Sequence, residues 1–167
     1  KRLHPPEKWD SLPARFALCE LINLHDGSLE FEPIHRVVFH TEPEPLLDAL
    51  VRCYPGSRRG AAPAGNGHPL RYVYAGGEGI ITVPKNAAHL PVAALQDFLD
   101  AYLTTHPGRV DYIHGEDVTR EFAARPGNLA FLLPPMAKEA LFPSVIHGGV
   151  LPRKTFSMGE PHDKRFY

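Results

Sequence analysis

Cysteine is scarce in this chain: Cys19 and Cys53 are the only two in 167 residues. That excludes a disulfide-stapled scaffold, and with no Cys-x-x-Cys pair it also excludes a zinc ribbon. Cys19 lies in an apolar run, where a buried, unpaired thiol is expected. Long hydrophobic runs are missing too. No stretch approaches the roughly 18 apolar residues of a membrane-crossing helix, and no signal-peptide core lies near the start. No membrane association is expected, and the default location is cytoplasmic. Net charge is −1 with histidine neutral, so no global field draws nucleic acid. Nucleic-acid contact would need a local basic patch. The best candidate is the last fifteen residues, where Arg153, Lys154, Lys164 and Arg165 are opposed only by Glu160 and Asp163.

Several catalytic signatures are also lacking. There is no G-x-S-x-G elbow, no Walker-type phosphate loop, and no basic neighbour to activate Cys19. Ten histidines invite a metal reading, yet neither H-x-H nor H-E-x-x-H occurs. His25 and His35 would stand on the order of 20 Å apart if a hairpin closed at Asp26-Gly27. No metal site is expected.

What remains is ordinary for a globular domain, with 43% hydrophobic and 22% charged residues. A single domain over residues 1–167 is expected. The opening Lys1-Arg2-Leu3-His4, without Met, suggests the C-terminal segment of a longer protein. Proline is abundant, at eighteen residues, much of it in loops.

Arg15–Leu24 (RFALCELINL) reads as a strand covered on both faces. With Asp-Gly after it, a hairpin into Leu29–His40 is expected. On that returning strand Leu29, Phe31, His35, Val37 and Phe39 share one face, and Glu30, Glu32, Ile34, Arg36 and Val38 the other. The pattern suggests half-burial, with Pro33 marking an edge or bulge. Thr41-x-x-Glu44 has capping-box form, followed by a short helix with Leu46, Leu47, Leu50, Val51 and Tyr54 inward. Residues 55–68 read as a flexible surface loop. There Arg58-Arg59 reads as a solvated pair, with anion contact as the alternative. A second hairpin is expected from Leu70–Tyr74 and Gly79–Val83. Gly76-Gly77-Glu78-Gly79 is then a turn, because a phosphate cradle would need a helix after it. Helices follow over Pro91 to about His106, Glu116–Ala124, and Met136–His147 interrupted by Pro143. Strands are expected at Val110–His114 and Leu129–Leu133. The order suits a mixed α/β (α+β) fold, a mixed, largely antiparallel sheet with hairpins and helices packed on it.

Two places carry candidate chemistry. His35 and Arg36 are adjacent on a strand and point to opposite faces, so they do different jobs. Arg36 shares its face with Glu30 and Glu32, which allows a structural ion pair or an anion-binding role. His35 reads as a hydrogen-bonded, half-core residue; in a catalytic role it would orient a substrate or act as an acid–base group. In Leu151–Met158, Arg153, Lys154, Thr155 and Ser157 alternate with apolar residues. Two cations and two hydroxyls suit phosphate oxygens, and an ordinary exposed loop is the alternative.

Two long segments, Leu21–Phe39 and Asn128–Tyr167, resemble domain-of-unknown-function family 1015. Ile34-His35-Arg36 resembles that family's threonine-His-Arg-type strand. Leu151-Pro152-Arg153-Lys154-Thr155 resembles its Met/Leu-Pro-x-Lys-Ser/Thr closing motif. The resemblance implies a bacterial protein with an Asp-Gly-His-His-Arg motif upstream, which this chain lacks. It also implies ParB-like relatives, among them nucleotide-using enzymes, small-molecule kinases and DNA-binding proteins. The leading expectation is a nucleotide- or phosphometabolite-handling, phosphotransferase-like enzyme. Arg153, Lys154 and Thr155 would hold phosphate oxygens, Arg36 would assist, and His35 would orient substrate or transfer a proton. The partner would be a small phosphorylated molecule or nucleotide. ATP and Mg²⁺ are expected only in the full-length protein, with the Mg²⁺ carboxylate upstream. The alternatives are a ParB-like DNA-associated or regulatory module, which the charge disfavours, and a purely structural half-domain.

Overall fold

The aromatic and β-branched run FEPIHRVVF forms strand β1 (Phe31–Phe39) in the computed structural model, which describes residues 6–17, 19, 21–60 and 67–158. Helix α1 (Pro43–Cys53), strand β2 (Arg58–Arg59) and the hairpin β3 (Gly67–Tyr74) and β4 (Gly77–Pro84) follow. Then come α2 (Pro91–Tyr102), β5 (Arg109–His114), α3 (Glu116–Ala123), β6 (Leu129–Leu132), α4 (Leu141–Gly148) and β7 (Phe156–Met158). The seven strands form one sheet in the order β2-β4-β3-β6-β1-β5, with β7 paired to the start of β1. Every pairing is antiparallel. The architecture is the mixed α+β fold with a largely antiparallel sheet expected from the element order.

Both faces of β1 are covered. Val38 packs with Leu46, Leu50, Leu95, Leu99 and Phe131 under α1 and α2, while Val37 packs with Ala123 and Ala130 under α3. Val37 and Val38 are both fully buried, so the half-buried expectation for this strand is corrected.

The first hairpin does not form. The described residues between 15 and 24 contain no strand, and β1 takes β5, β6 and β7 as partners instead. Around Asp26-Gly27 the side chains satisfy the backbone locally. Asp26 Oδ1 accepts the Ser28 N–H at 2.9 Å, and Asn23 Oδ1 accepts the His25 N–H at 3.1 Å. Phe16 and Leu21 are exposed, and so is Cys19, against its expected burial.

The capping box is also absent. The helix starts one residue later than the box requires: Glu42 is the N-cap and Pro43 the first helical residue, so Thr41 stands outside α1 and Glu44 at its second position, not its third. Glu44 instead takes two bonds from Arg59, at 2.5 and 2.8 Å, and one from the Tyr74 hydroxyl. Through Arg59 the supposed loop becomes part of the sheet, as β2; residues 61–66 lie outside the described residues. Likewise Pro143 does not interrupt a helix. It sits in the first turn of α4, where proline is tolerated, and the Met136–Ala137 end of the expected helix is extended chain.

Arg59 first, then Tyr74, hold the Glu44 carboxyl down to about 2. The sign of the pH effect follows. Between the ordinary 4.5 and about 2, the unfolded chain takes up a proton that the folded chain refuses, so this contribution is lost as pH falls through that range. Both side chains face solvent, which keeps the effect under ~1 kcal/mol. Glu44→Gln is expected to lower the urea midpoint slightly at neutral pH and to converge with the parent in strong acid.

Candidate functional site

The sheet register places Arg36 of β1 opposite Tyr112 of β5. Cross-strand neighbours on one face are within side-chain reach, and the Arg36 guanidinium lies 4.9 Å from the Tyr112 ring centroid. Arg36 is fully buried. Its Nε donates to Gln96 Oε1 of α2 at 3.2 Å, and its terminal nitrogens donate to the carbonyls of Ile34 (2.5 Å), Lys154 (2.9 Å) and Arg153 (2.9 Å). Gln96 in turn donates to Asp100 at 2.8 Å. The ion pair with Glu30 or Glu32 is therefore not made: the guanidinium turns toward α2 and the closing turn, and no carboxylate among the described residues bridges it directly. Burial, which disfavours its charge, lowers the Arg36 pKa to about 10, against the pull of Tyr112 and Asp100.

Arg36 thus clamps the turn that carries the other basic candidates. Lys154 holds a left-handed backbone, φ 54°, a conformation costing about 1–2 kcal/mol for a residue with a side chain. The clamp on the carbonyls of Arg153 and Lys154 offsets that strain. Thr155 Oγ1 donates to Pro152 O at 2.7 Å and closes the turn, so its hydroxyl proton is already committed. The side chains of Arg153 and Lys154 are exposed, with their charged ends 5.5 and 5.9 Å from the same Tyr112 ring. The structure therefore brings Arg36, Arg153 and Lys154 together around one tyrosine, with Arg36 as a holder and the other two as free ends. Lys164 and Arg165 lie outside the described residues.

His35 points to the opposite face. It is 4% exposed, and its Nδ1 accepts the Leu133 N–H at 3.1 Å. Because Nδ1 accepts, the ring's proton sits on Nε2; burial is the main cause that lowers the His35 pKa. His35 lines a cavity of about 490 Å³ that it shares with Arg71, Ile80, Glu116, Leu132 and Pro135. Here Arg71 pairs with Glu116 at 3.2 Å, and Arg120 bridges Glu116 and Glu78, each at 2.8 Å. The candidate residues thus divide between two places. Tyr112, Gln96, Arg71 and Glu116 carry no local signal of their roles, because the partners that recruit them are distant in sequence. Among the described residues, no group of three or more His, Cys, Asp or Glu side chains is placed to hold a metal ion. No helix of the described chain is long and apolar enough to cross a membrane.

No protein-family model, no curated protein and no solved structure matches the chain.

Proposed function

We propose that this chain supplies the phosphate-binding wall of a protein that handles nucleotides or phosphorylated metabolites, with Arg153 and Lys154 as the direct ligands. One observation carries this: Arg36, Arg153 and Lys154 gather around Tyr112, and none of the three has a carboxylate within ion-pair reach among the described residues. Like charges held together repel, and an anion placed among them relieves that repulsion. Arginine offers a planar fork and lysine a compact charge, a pairing suited to a phosphoryl group. The strained Lys154 backbone is a second support, since strain of this kind persists where surrounding contacts impose it and is common at ligand clamps. Arg36 and Thr155 are positioning residues, because their donors are spent on the turn itself. Membership in domain-of-unknown-function family 1015 is part of the same proposal and rests on the same closing motif. The phosphoryl-transfer chemistry, with any nucleotide and Mg²⁺, belongs to the whole protein.

Titration calorimetry with pyrophosphate and with ATP tests the reading. Saturable binding is expected, and the combined change Arg153→Ala, Lys154→Ala is expected to weaken it at least ~10-fold, equivalent to about 1.4 kcal/mol. Absence of saturable heat with either anion would remove the reading. Salt-sensitive binding to duplex DNA without pyrophosphate binding would favour a DNA-associated module in its place.

A further inference from the structure

We propose that the cavity on the opposite face of the sheet is a second ligand site, and that it takes a small monocarboxylic acid with an apolar body. The site is independent of the phosphate wall. Its volume, about 490 Å³, falls within the range of small-molecule pockets, which combine apolar walls with a few convergent polar groups. Pro33, Pro69, Ile80, Leu132 and Pro135 make the walls. Three donors converge on them.

The first is His35. It is 4% exposed, and Nδ1 is committed to the Leu133 N–H. The proton-bearing Nε2 lies on the other side of the ring; it bonds no described residue and is not among the described buried polar atoms that lack a partner, so solvent or a ligand can reach it. The second donor is the Arg71 guanidinium, bound to Glu116 only through long contacts of 3.2 and 3.4 Å. The third is the start of α3 at Gly115, which lines the cavity. No side chain caps this helix, so its first N–H groups are open to a ligand, while Glu116 and Asp117 in the first turn already answer its positive dipole end. Gly115 holds φ +86°, a backbone that favours glycine and turns β5 directly into α3 at this wall.

Two acidic groups stand on the same walls and set the ligand's charge. Glu116 is matched by both Arg71 and Arg120. Glu32 lines the rim and has no ion-pair partner among the described residues. Glu32 repels any anion, a dianionic phosphate about twice as strongly as a monocarboxylate, and only the latter has an apolar part to turn to the prolines.

The experiment is an NMR titration of the intact chain with benzoate, alongside benzamide and benzylammonium. Benzoate is expected to saturate and to shift the His35 ring and the Leu133 amide, with benzamide weaker and benzylammonium inactive. Arg71→Gln, at a half-exposed position, is expected to weaken benzoate at least ~5-fold. His35→Asn keeps an acceptor for Leu133 but loses the Nε2 donor, and a similar loss is expected. The combined change Arg153→Ala, Lys154→Ala is expected to leave benzoate binding unchanged. No saturable benzoate shift, or unaltered binding in both the Arg71 and His35 variants, would overturn the proposal. So would loss of benzoate binding in the Arg153, Lys154 variant. Failure of pyrophosphate binding alone would count only against the phosphate wall.

Discussion

Arg36→Ala is expected to cost about 4 kcal/mol of folding stability and to release the 152–155 turn. The substitution removes four hydrogen bonds, those to Gln96, Ile34, Lys154 and Arg153. It also leaves a cavity where a fully buried side chain stood. A second variant separates packing from clamping. Arg36→Met fills most of the volume and relieves the cost of burying a cation, the cost that lowers its pKa to about 10. About 2 kcal/mol of the stability should therefore return. The turn should not recover, because methionine donates nothing to the Arg153 and Lys154 carbonyls. Urea unfolding reads the global term, and hydrogen exchange at residues 153–155 reads the local one. In both variants pyrophosphate affinity should fall although neither anion-contacting side chain has changed. Arg36→Met with parental exchange and parental affinity would show that the turn stands without its clamp.

The same clamp shows what could be read from the chain before folding. Periodicity placed β1, the β3–β4 hairpin, α2, α3 and β6 close to their observed bounds, because each is set by its own alternation of apolar residues. The opposite orientation of His35 and Arg36 followed from strand geometry alone. Failures arose where a local pattern had to compete with a distant one. Arg15–Leu24 has a strand's composition, but the partner expected for it, β1, pairs with β5, β6 and β7. Thr41-x-x-Glu44 fits a capping box in letters, yet α1 begins at Pro43 with Glu42 as its N-cap, one residue out of the box's register. At the site, the closing basic segment was visible as composition. Its meeting with Tyr112 was not, since that depends on the β1–β5 register. The cavity at His35 was hidden for the same reason: it is built from β1, β3, β4, β6 and the start of α3, and no one segment announces it.

His35 should make the fold acid-sensitive in a defined window. Its pKa is lowered by burial first. Glu116 opposes that shift, and His114, Arg36 and Arg71 add to it. Above the ordinary value of 6.5 the ring is neutral in both states and stability does not depend on it. Below 6.5 the unfolded chain binds a proton that the folded chain refuses, so stability is lost as pH falls from 6.5 toward the depressed folded value. The loss from this one group is at most about 1.4 kcal/mol per pH unit. The structural reason is specific: a proton on Nδ1 would confront the Leu133 N–H that Nδ1 now accepts at 3.1 Å, leaving two donors facing each other and a charge buried between them. The measurement compares slopes. Urea midpoints between about pH 7 and pH 5 should fall more steeply for the parent than for His35→Asn, which retains an acceptor but cannot titrate. His35→Leu should lose about 2 kcal/mol already at neutral pH, because the Leu133 N–H is then buried without an acceptor. Equal slopes in the parent and His35→Asn would assign the acid sensitivity to groups other than His35.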